Sequence, residues 1–203
     1  MALLVDGDAF CKLGVSGMLT DAAEILGMKI SDCARPPALP YMLRRGALVR
    51  AYGEEACAAL RPDALEMESA PAPDAAWLGK LASVDGIDPG EAILFAAAAQ
   101  HGAHVLTGDK RAVIALKGVP GYPAALSGRI VVFEAMLLAL CARLGHVEVR
   151  RRLGSLTATD KTLIVCFSAA NPDPREALVS YYSSLAVDVQ PLILWDPRPG
   201  ETT

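Results

Sequence analysis

Acidic side chains flank the apolar runs of this 203-residue chain at points where they could meet in space. Asp6 follows the run Ala2–Val5, Asp109 follows the run Ala103–Thr107, and Glu91 lies in the first turn of a predicted helix before that second run. In a parallel βαβ unit, the N-terminus of a helix lies at the same sheet edge as the carboxyl end of the strand after it. We therefore expect Asp6, Glu91 and Asp109 to project to one edge, where open α/β sheets bind ligands.

Carboxylates that converge in this way repel one another unless a cation lies between them. Oxygen ligands without histidine or cysteine suit Mg²⁺ or Mn²⁺. Such an ion can activate water and neutralise charge on a phosphate during phosphodiester hydrolysis. We therefore predict Asp6, Glu91 and Asp109 as catalytic metal ligands. Asp8, one turn further on, or Asp32, at the end of a predicted second strand, is the candidate for an additional ligand.

Residues beside Asp109 could contact the substrate. Lys110 and Arg111 adjoin the predicted acid cluster, and Thr107 could donate a hydrogen bond to a ligand carboxylate or to water. Each feature also has a structural interpretation. Thr107 is equally an ordinary β-branched strand residue, and each predicted acid could serve only to cap a helix.

The elements that must position these acids alternate between strand and helix. The pattern predicts strands at residues 2–5, 28–31, 103–107 and 130–133, with a late strand at 192–195. Strands that alternate with helices indicate a parallel α/β sheet flanked by helices. The sequence is divided into a core at residues 1–134 and a mostly helical C-terminal extension at residues 135–203, which we expect to pack on the core.

Composition excludes several classes of protein. With 53% hydrophobic residues the chain can form a core, and a net charge of −4 argues against a protein that coats nucleic acid by bulk charge. The five scattered cysteines form no CxxC pair, so neither a zinc site nor a disulfide framework is indicated. No apolar run approaches the length of a membrane span or signal peptide, which predicts a cytoplasmic protein without a membrane partner.

Three segments resemble motifs of the PIN-domain nucleases. Residues 3–10, LLVDGDAF, match the opening strand and aspartate of that family. Residues 88–106, DPGEAILFAAAAQHGAHVL, match the acidic residue that opens a helix of small residues before the next strand. Residues 106–113, LTGDKRAV, match the T-x-D followed by a basic helical segment. Order and spacing fit across the predicted core.

This resemblance implies a PIN-like three-layer fold and a metal-dependent endoribonuclease. Members of the family are often the toxin of a toxin–antitoxin pair, so the resemblance implies RNA as the substrate and an antitoxin protein as a partner. Self-association into a homodimer is left open.

The chain departs from the family pattern at two places. The family usually has another acid on the helix after the second strand, where residues 34–46 read ARPPALPYMLRRG; Asp32, Glu54 and Glu55 are the alternatives for it. The residue two after the first aspartate is usually Asn or Ser, and here it is Asp8. These departures keep a second hypothesis open, a catalytically degenerate PIN-like module that binds RNA or a protein.

A third hypothesis comes from Asp6-Gly7-Asp8, which resembles the D-x-D of haloacid-dehalogenase-like phosphatases. In that family the first aspartate is the nucleophile and the second the acid/base. The resemblance requires a later G-D-x-x-x-D, but after Gly108-Asp109 the second acidic position is Val113.

Two groups of arginines are candidates for contacts with a phosphate backbone. One group is Arg44, Arg45 and Arg50, and the other is the run 150–152. A solvated helix face is the alternative for both.

Overall fold

The computed structural model describes residues 2–158, 160–168 and 171–197. Within them the chain forms an α/β fold around a five-stranded, all-parallel sheet. The strands are Leu3–Val5 (β1), Cys33–Arg35 (β2), Glu68–Ser69 (β3), His104–Thr107 (β4) and Ile130–Val132 (β5). Their spatial order is β3-β2-β1-β4-β5, which places the first strand at the centre.

Helices connect the strands and continue after the last one. The described residues form α-helices at Gly7–Val15 (α1), Leu19–Ile25 (α2), Leu39–Met42 (α3), Ala47–Tyr52 (α4), Glu54–Glu66 (α5), Ala75–Leu81 (α6), Pro89–His101 (α7), Lys110–Leu116 (α8), Tyr122–Ala125 (α9), Phe133–Leu144 (α10), His146–Leu153 (α11), Lys161–Cys166 (α12) and Arg175–Asp188 (α13). Two 3₁₀ turns lie at Ile30–Asp32 and Gly154–Ala158.

Each face of the sheet buries its own apolar core, which gives the fold three layers. Successive side chains of a strand point to opposite faces, so Leu3 and Val5 pack in one core and Leu4 in the other. Helices α1, α2, α5 and α10 cover the first face, and α6, α7 and α8 cover the second. This arrangement confirms the predicted α/β class with a central parallel sheet flanked by helices.

The helices after β5 contribute to both cores. Met136, Leu137 and Leu140 of α10 are fully buried in the same core as β1, and α10 packs against α2, α11 and α13. Tyr182 and Leu185 of α13 are buried in the core on the other face. The division of the chain at residue 134 stays a prediction.

Two predicted strands were wrong, and one strand of the sheet was not predicted. The second strand is β2, not residues 28–31, of which 28 and 29 are irregular and 30 and 31 belong to the first 3₁₀ turn. Strand β3 lies in a segment that lacks any strand pattern, and both of its residues are exposed. In the predicted late strand, only Leu194 forms a bridge, with Ile130 at the open edge of β5. No helix of the described residues is long and apolar enough to cross a membrane.

Candidate active site

The predicted acids follow the carboxyl ends of the two central strands. Strands β1 and β4 pair in parallel with Val5 opposite Leu106, and the Asp6 amide donates to the carbonyl of Leu106 at 2.9 Å. Asp109 comes two residues after β4 and is the N-cap of α8. Glu91 lies in the first turn of α7, the helix that leads into β4. The chain therefore brings all three acids to one edge of the sheet.

One cavity of about 260 Å³ opens at this edge, and all three predicted ligands line it. Asp8 and Asp88 line it as well. Its remaining walls are glycine and apolar side chains, namely Gly7, Gly108, Met42 and Leu48. Five carboxyl groups thus border one small volume, which we call the acid cavity.

Burial and, to a smaller extent, neighbouring carboxylates raise the pKa of two acids of the cavity, Asp6 and Glu91. Burial, with a contribution from the neighbouring Asp8 carboxylate, raises the pKa of Asp6 to about 6. Burial raises the pKa of Glu91 to about 7, and Asp88, Asp109 and Asp6 add to the shift. These two carboxyl groups therefore exchange protons near neutral pH, where a bound cation would favour their ionised forms.

Asp109 is held in its ionised form by its own helix. Its carboxylate accepts hydrogen bonds from the amides of Arg111 and Ala112 at 2.8 and 3.2 Å and from the Arg111 guanidinium at 3.1 Å. Burial alone would raise the pKa of Asp109, but these hydrogen bonds outweigh it and lower the pKa. The hydroxyl of buried Thr107 accepts a hydrogen bond from the Asp109 amide at 3.1 Å. This bond holds the turn between β4 and Asp109.

Glu91 and Asp88 form a reciprocal capping box at the start of α7. The Asp88 amide donates to Glu91 Oε2 at 2.8 Å, and the Glu91 amide donates to Asp88 Oδ1 at 2.9 Å. The structural interpretation of Glu91 and Asp109 as capping residues is therefore correct, although both also line the cavity.

The donor types fit a hard cation, since carboxylate oxygens are the ligands Mg²⁺ prefers. Among the side chains that the structure describes, however, no three of His, Cys, Asp and Glu are arranged to hold a metal ion. Oxygens of Glu91 and Asp109 accept hydrogen bonds from helix amides, and an ion would have to compete for them. Mg²⁺ or Mn²⁺ as cofactor stays a prediction.

Asp8 belongs to a separate ion cluster beside the cavity. Its carboxylate accepts a hydrogen bond from Tyr52 at 2.5 Å and forms an ion pair with Lys12 at 2.8 Å. Lys12 also pairs with Asp160, in the C-terminal region, at 2.6 Å. The same residues line a second cavity of about 380 Å³. A nearby ammonium thus neutralises Asp8, which weakens its case as a metal ligand.

The alternatives for the additional family acid lie elsewhere. Asp32 precedes β2 rather than ending a strand, so the prediction that it lies at the acid edge is wrong. Its carboxylate accepts the Lys29 amide at 2.9 Å. Glu54 and Glu55 are exposed in the first turn of α5, and neither lines the acid cavity.

The side chains of the two basic residues after Asp109 lie in different surroundings. Arg111 lies with Asp88, Glu91 and Asp109 around an open hollow at the mouth of the site. The Lys110 ammonium instead pairs with buried Glu134 at 2.8 Å and lies 4.5 Å from the ring centroid of Tyr181. A substrate contact by Arg111 therefore stays a prediction, whereas the Lys110 side chain is held by residues of the C-terminal helices.

Four side chains at or near the acid cavity lay outside the sequence-based prediction of the site: Asp88, Lys12, Tyr52 and Asp160. Asp88 carried a local signal, because it stands three residues before Glu91 in a capping box. Lys12 stands four residues after Asp8, the spacing of a helical ion pair. Tyr52 and Asp160 carried no such signal, since they reach Asp8 and Lys12 from 44 and 148 residues away.

Comparison of the chain with protein-family models, with curated proteins and with solved structures yields no match.

Proposed function

We propose that this protein is a metal-dependent endoribonuclease, resembling the PIN-domain nucleases, that hydrolyses RNA phosphodiester bonds at the acid cavity. One observation carries the proposal: Asp6, Glu91 and Asp109, from three separate segments, line one cavity at the carboxyl edge of a parallel sheet. A capping role explains Glu91 and Asp109 individually, but it does not explain why Asp6 shares their cavity.

The residues suit the reaction in complementary ways. Asp109, ionised through Arg111 and the amides of α8, supplies a constant negative charge at neutral pH. Burial raises the pKa of Glu91 to about 7, and a cation bound beside it would favour the ionised form that can act as a ligand. A bound Mg²⁺ or Mn²⁺ supplies a polarised water and neutralises charge on the phosphate. Asp6, Glu91 and Asp109 are the residues that would hold it.

Cleavage of a labelled single-stranded RNA tests the proposal. We expect cleavage with Mg²⁺ or Mn²⁺, loss of cleavage in EDTA, and loss in the variants Asp6→Asn, Glu91→Gln and Asp109→Asn. Each variant removes a charge but keeps an oxygen that can accept the capping hydrogen bonds. Asp74→Asn is the matched control, because Asp74 is exposed and outside the cavity. Cleavage that persists in chelator or in all three variants would refute the assignment.

A degenerate PIN-like module that binds RNA or a protein is the second candidate. It is favoured by the lack of a preformed metal arrangement among the described side chains and by the missing family acid at residues 34–46. RNA binding without cleavage under any divalent cation would support it. Hydrolysis of p-nitrophenyl phosphate that depends on Asp6 would instead support the phosphatase hypothesis.

An antitoxin partner belongs to this proposal as an extension of the nuclease function. Expression of the chain in bacteria tests it: growth arrest that Asp6→Asn relieves would support a toxin. A wild-type chain that cleaves RNA in vitro but leaves growth unchanged would contradict it.

A further inference from the structure

The segment that replaces the family's acidic helix forms a wall of the acid cavity. Met42 of α3 and Leu48 of α4 line the cavity. Both helices pack against Gly7, the residue after Asp6, because a Cβ added there would lie 3.4 Å from a Leu39 methyl and 3.7 Å from a Leu48 methyl. Tyr52 at the end of α4 hydrogen-bonds Asp8. Residues 39–53 are therefore adjacent to the site.

The segment 39–53 that carries this wall is basic, although the chain as a whole is acidic. Residues 39–53 contain Arg44, Arg45 and Arg50 and no acidic residue, in a chain of net charge −4. All three arginines are exposed. Within the described part of the chain, none of the three forms an ion pair with a carboxylate. Their charge is thus available to a ligand.

The second arginine group provides the contrast. Arg151 and Arg152 both pair with Glu148 at 2.7 Å, and Arg152 also pairs with Asp21 at 3.0 Å. Arg150 donates to the carbonyl of Asn171. Two of the three arginines in the run 150–152 are therefore neutralised within the fold, and the third is held by a backbone carbonyl. The first group lacks such partners.

An exposed aromatic ring completes the basic surface. The Tyr41 side chain is 53% exposed, and the Arg45 guanidinium lies 4.4 Å from its ring centroid. Exposed aromatic rings beside unpaired guanidinium groups are the combination that binds single-stranded nucleic acid, in which unpaired bases stack on the ring and cations contact phosphates. Paired bases of a duplex cannot stack on a side chain in this way.

We propose that Tyr41, Arg44, Arg45 and Arg50 form a binding surface for single-stranded RNA on the segment whose Met42 and Leu48 line the acid cavity. The Tyr41 ring stacks on an unpaired base, and the three arginines contact the flanking phosphates. The surface is where the proposed nuclease would hold the single-stranded RNA that it cleaves, and in that sense the proposal rests on the proposed function. Binding itself requires neither the metal nor cleavage.

Fluorescence anisotropy with a labelled unstructured 12-nucleotide RNA, in EDTA, tests the proposal. Base–aromatic stacking contributes about 1–3 kcal/mol, so Tyr41→Ala should weaken binding about 5-fold to 150-fold while Tyr41→Phe binds like the wild type. Each of Arg44→Ala, Arg45→Ala and Arg50→Ala should lower the slope of log K against log salt by about 0.7. Arg151→Ala, which removes an exposed but paired arginine, should change neither quantity.

Thermal melts of the same variants show whether each remains folded. An arginine variant that unfolds is replaced by the glutamine substitution at the same position, which removes the charge but keeps a long side chain, and Tyr41→Ala is replaced by Tyr41→Leu. Unchanged affinity in folded Tyr41→Ala and arginine variants would overturn the proposal, as would equal binding of a duplex of the same sequence. The same measurement with single-stranded DNA of the same sequence shows whether the 2′-hydroxyl contributes to binding. We expect the RNA to bind more tightly, and tighter binding of the DNA would refute RNA as the ligand.

Failure of this proposal is distinguishable from failure of the nuclease function. Unchanged binding by these variants with intact metal-dependent cleavage would refute the surface alone. Binding that depends on Tyr41 without cleavage by any metal-loaded protein would refute the nuclease and retain the surface.

Discussion

The ion cluster at Lys12 should couple the C-terminal region energetically to the first helix. Lys12 Nζ lies 2.6 Å from Asp160 and 2.8 Å from Asp8, and the side chains of Lys12 and Asp160 are only 12% and 24% exposed. Breaking a buried pair costs about 3–5 kcal/mol and an exposed one about 0–1 kcal/mol. Because Asp8 remains as a partner, we expect Asp160→Asn to lower the free energy of unfolding by about 1–2 kcal/mol.

The substitution isolates the charge of Asp160 from its capping role. Asp160 Oδ1 accepts the Leu163 amide at 3.0 Å at the start of α12, and an asparagine keeps that acceptor. A double-mutant cycle with Lys12→Met, measured by urea unfolding, then gives the interaction between the two side chains. We expect a coupling free energy of about 1 kcal/mol or more with an unchanged m value.

Asp173→Asn is the matched control, because it disrupts a pair with Arg175 on the surface and should leave the urea midpoint unchanged. A coupling free energy below about 0.3 kcal/mol between Lys12 and Asp160 would refute the reasoning, since independent sites are additive to within that margin. Water would then screen the pair despite its low exposure.

Three further predictions concern the acids and the C-terminal helices. The folded state retains protons on Asp6 and Glu91 at pH values where the unfolded chain has lost them, so stability without metal should fall as pH rises from about 4 to about 7. Asp6 alone accounts for a decline of about 3 kcal/mol in the free energy of unfolding, at 1.36 kcal/mol per pKa unit. Urea titrations at several pH values should show that Asp6→Asn removes this part of the decline and leaves the part that is due to Glu91. Millimolar Mg²⁺ or Mn²⁺ should raise the melting temperature at pH 7.5. A cation concentration of 100 times the dissociation constant would raise the free energy of unfolding by about 2.7 kcal/mol, and an unchanged melting temperature would contradict a metal site. Truncation at residue 134 removes fully buried Met136, Leu137 and Leu140 and should give insoluble or molten protein by near-UV circular dichroism, whereas a cooperative melt of the fragment would show an independent core.

Local sequence patterns account for the parts of the site that could be predicted. The sequence Asp88-Pro89-Gly90-Glu91 encodes a helix start through contacts no more than three residues apart, and α7 begins at Pro89. The apolar runs before Asp6 and Asp109 are strong signals for buried strands, and β1 and β4 lie within one residue of the predicted bounds. Parallel topology then sends both acids to the same edge.

Strand β2 shows where local pattern fails. Cys33-Ala34-Arg35 has little intrinsic strand character, and it becomes a strand because Cys33 and Ala34 pair with Leu3 and Leu4 of β1. Arg35 is buried there because its guanidinium donates to the carbonyls of Ala64 and Pro36. The Ala64 carbonyl lies 29 residues away in α5, beyond the reach of local pattern. Because β2 begins at Cys33 and not at residue 28, Asp32 precedes the strand and lies away from the acid edge.

The sequence by itself determined the strand-and-helix alternation, the capping motif and the places of Asp6, Glu91 and Asp109 at strand ends and a helix start, because each depends on neighbours a few residues apart. Only the tertiary structure decided which charges remain free. Lys12 is neutralised in part by Asp160, 148 residues away, and Arg152 by Asp21, 131 residues away. Arg44, Arg45 and Arg50 lack an acidic partner among the described residues. Charge pairing at a surface depends on every segment that reaches it, and that information is distributed over the whole chain.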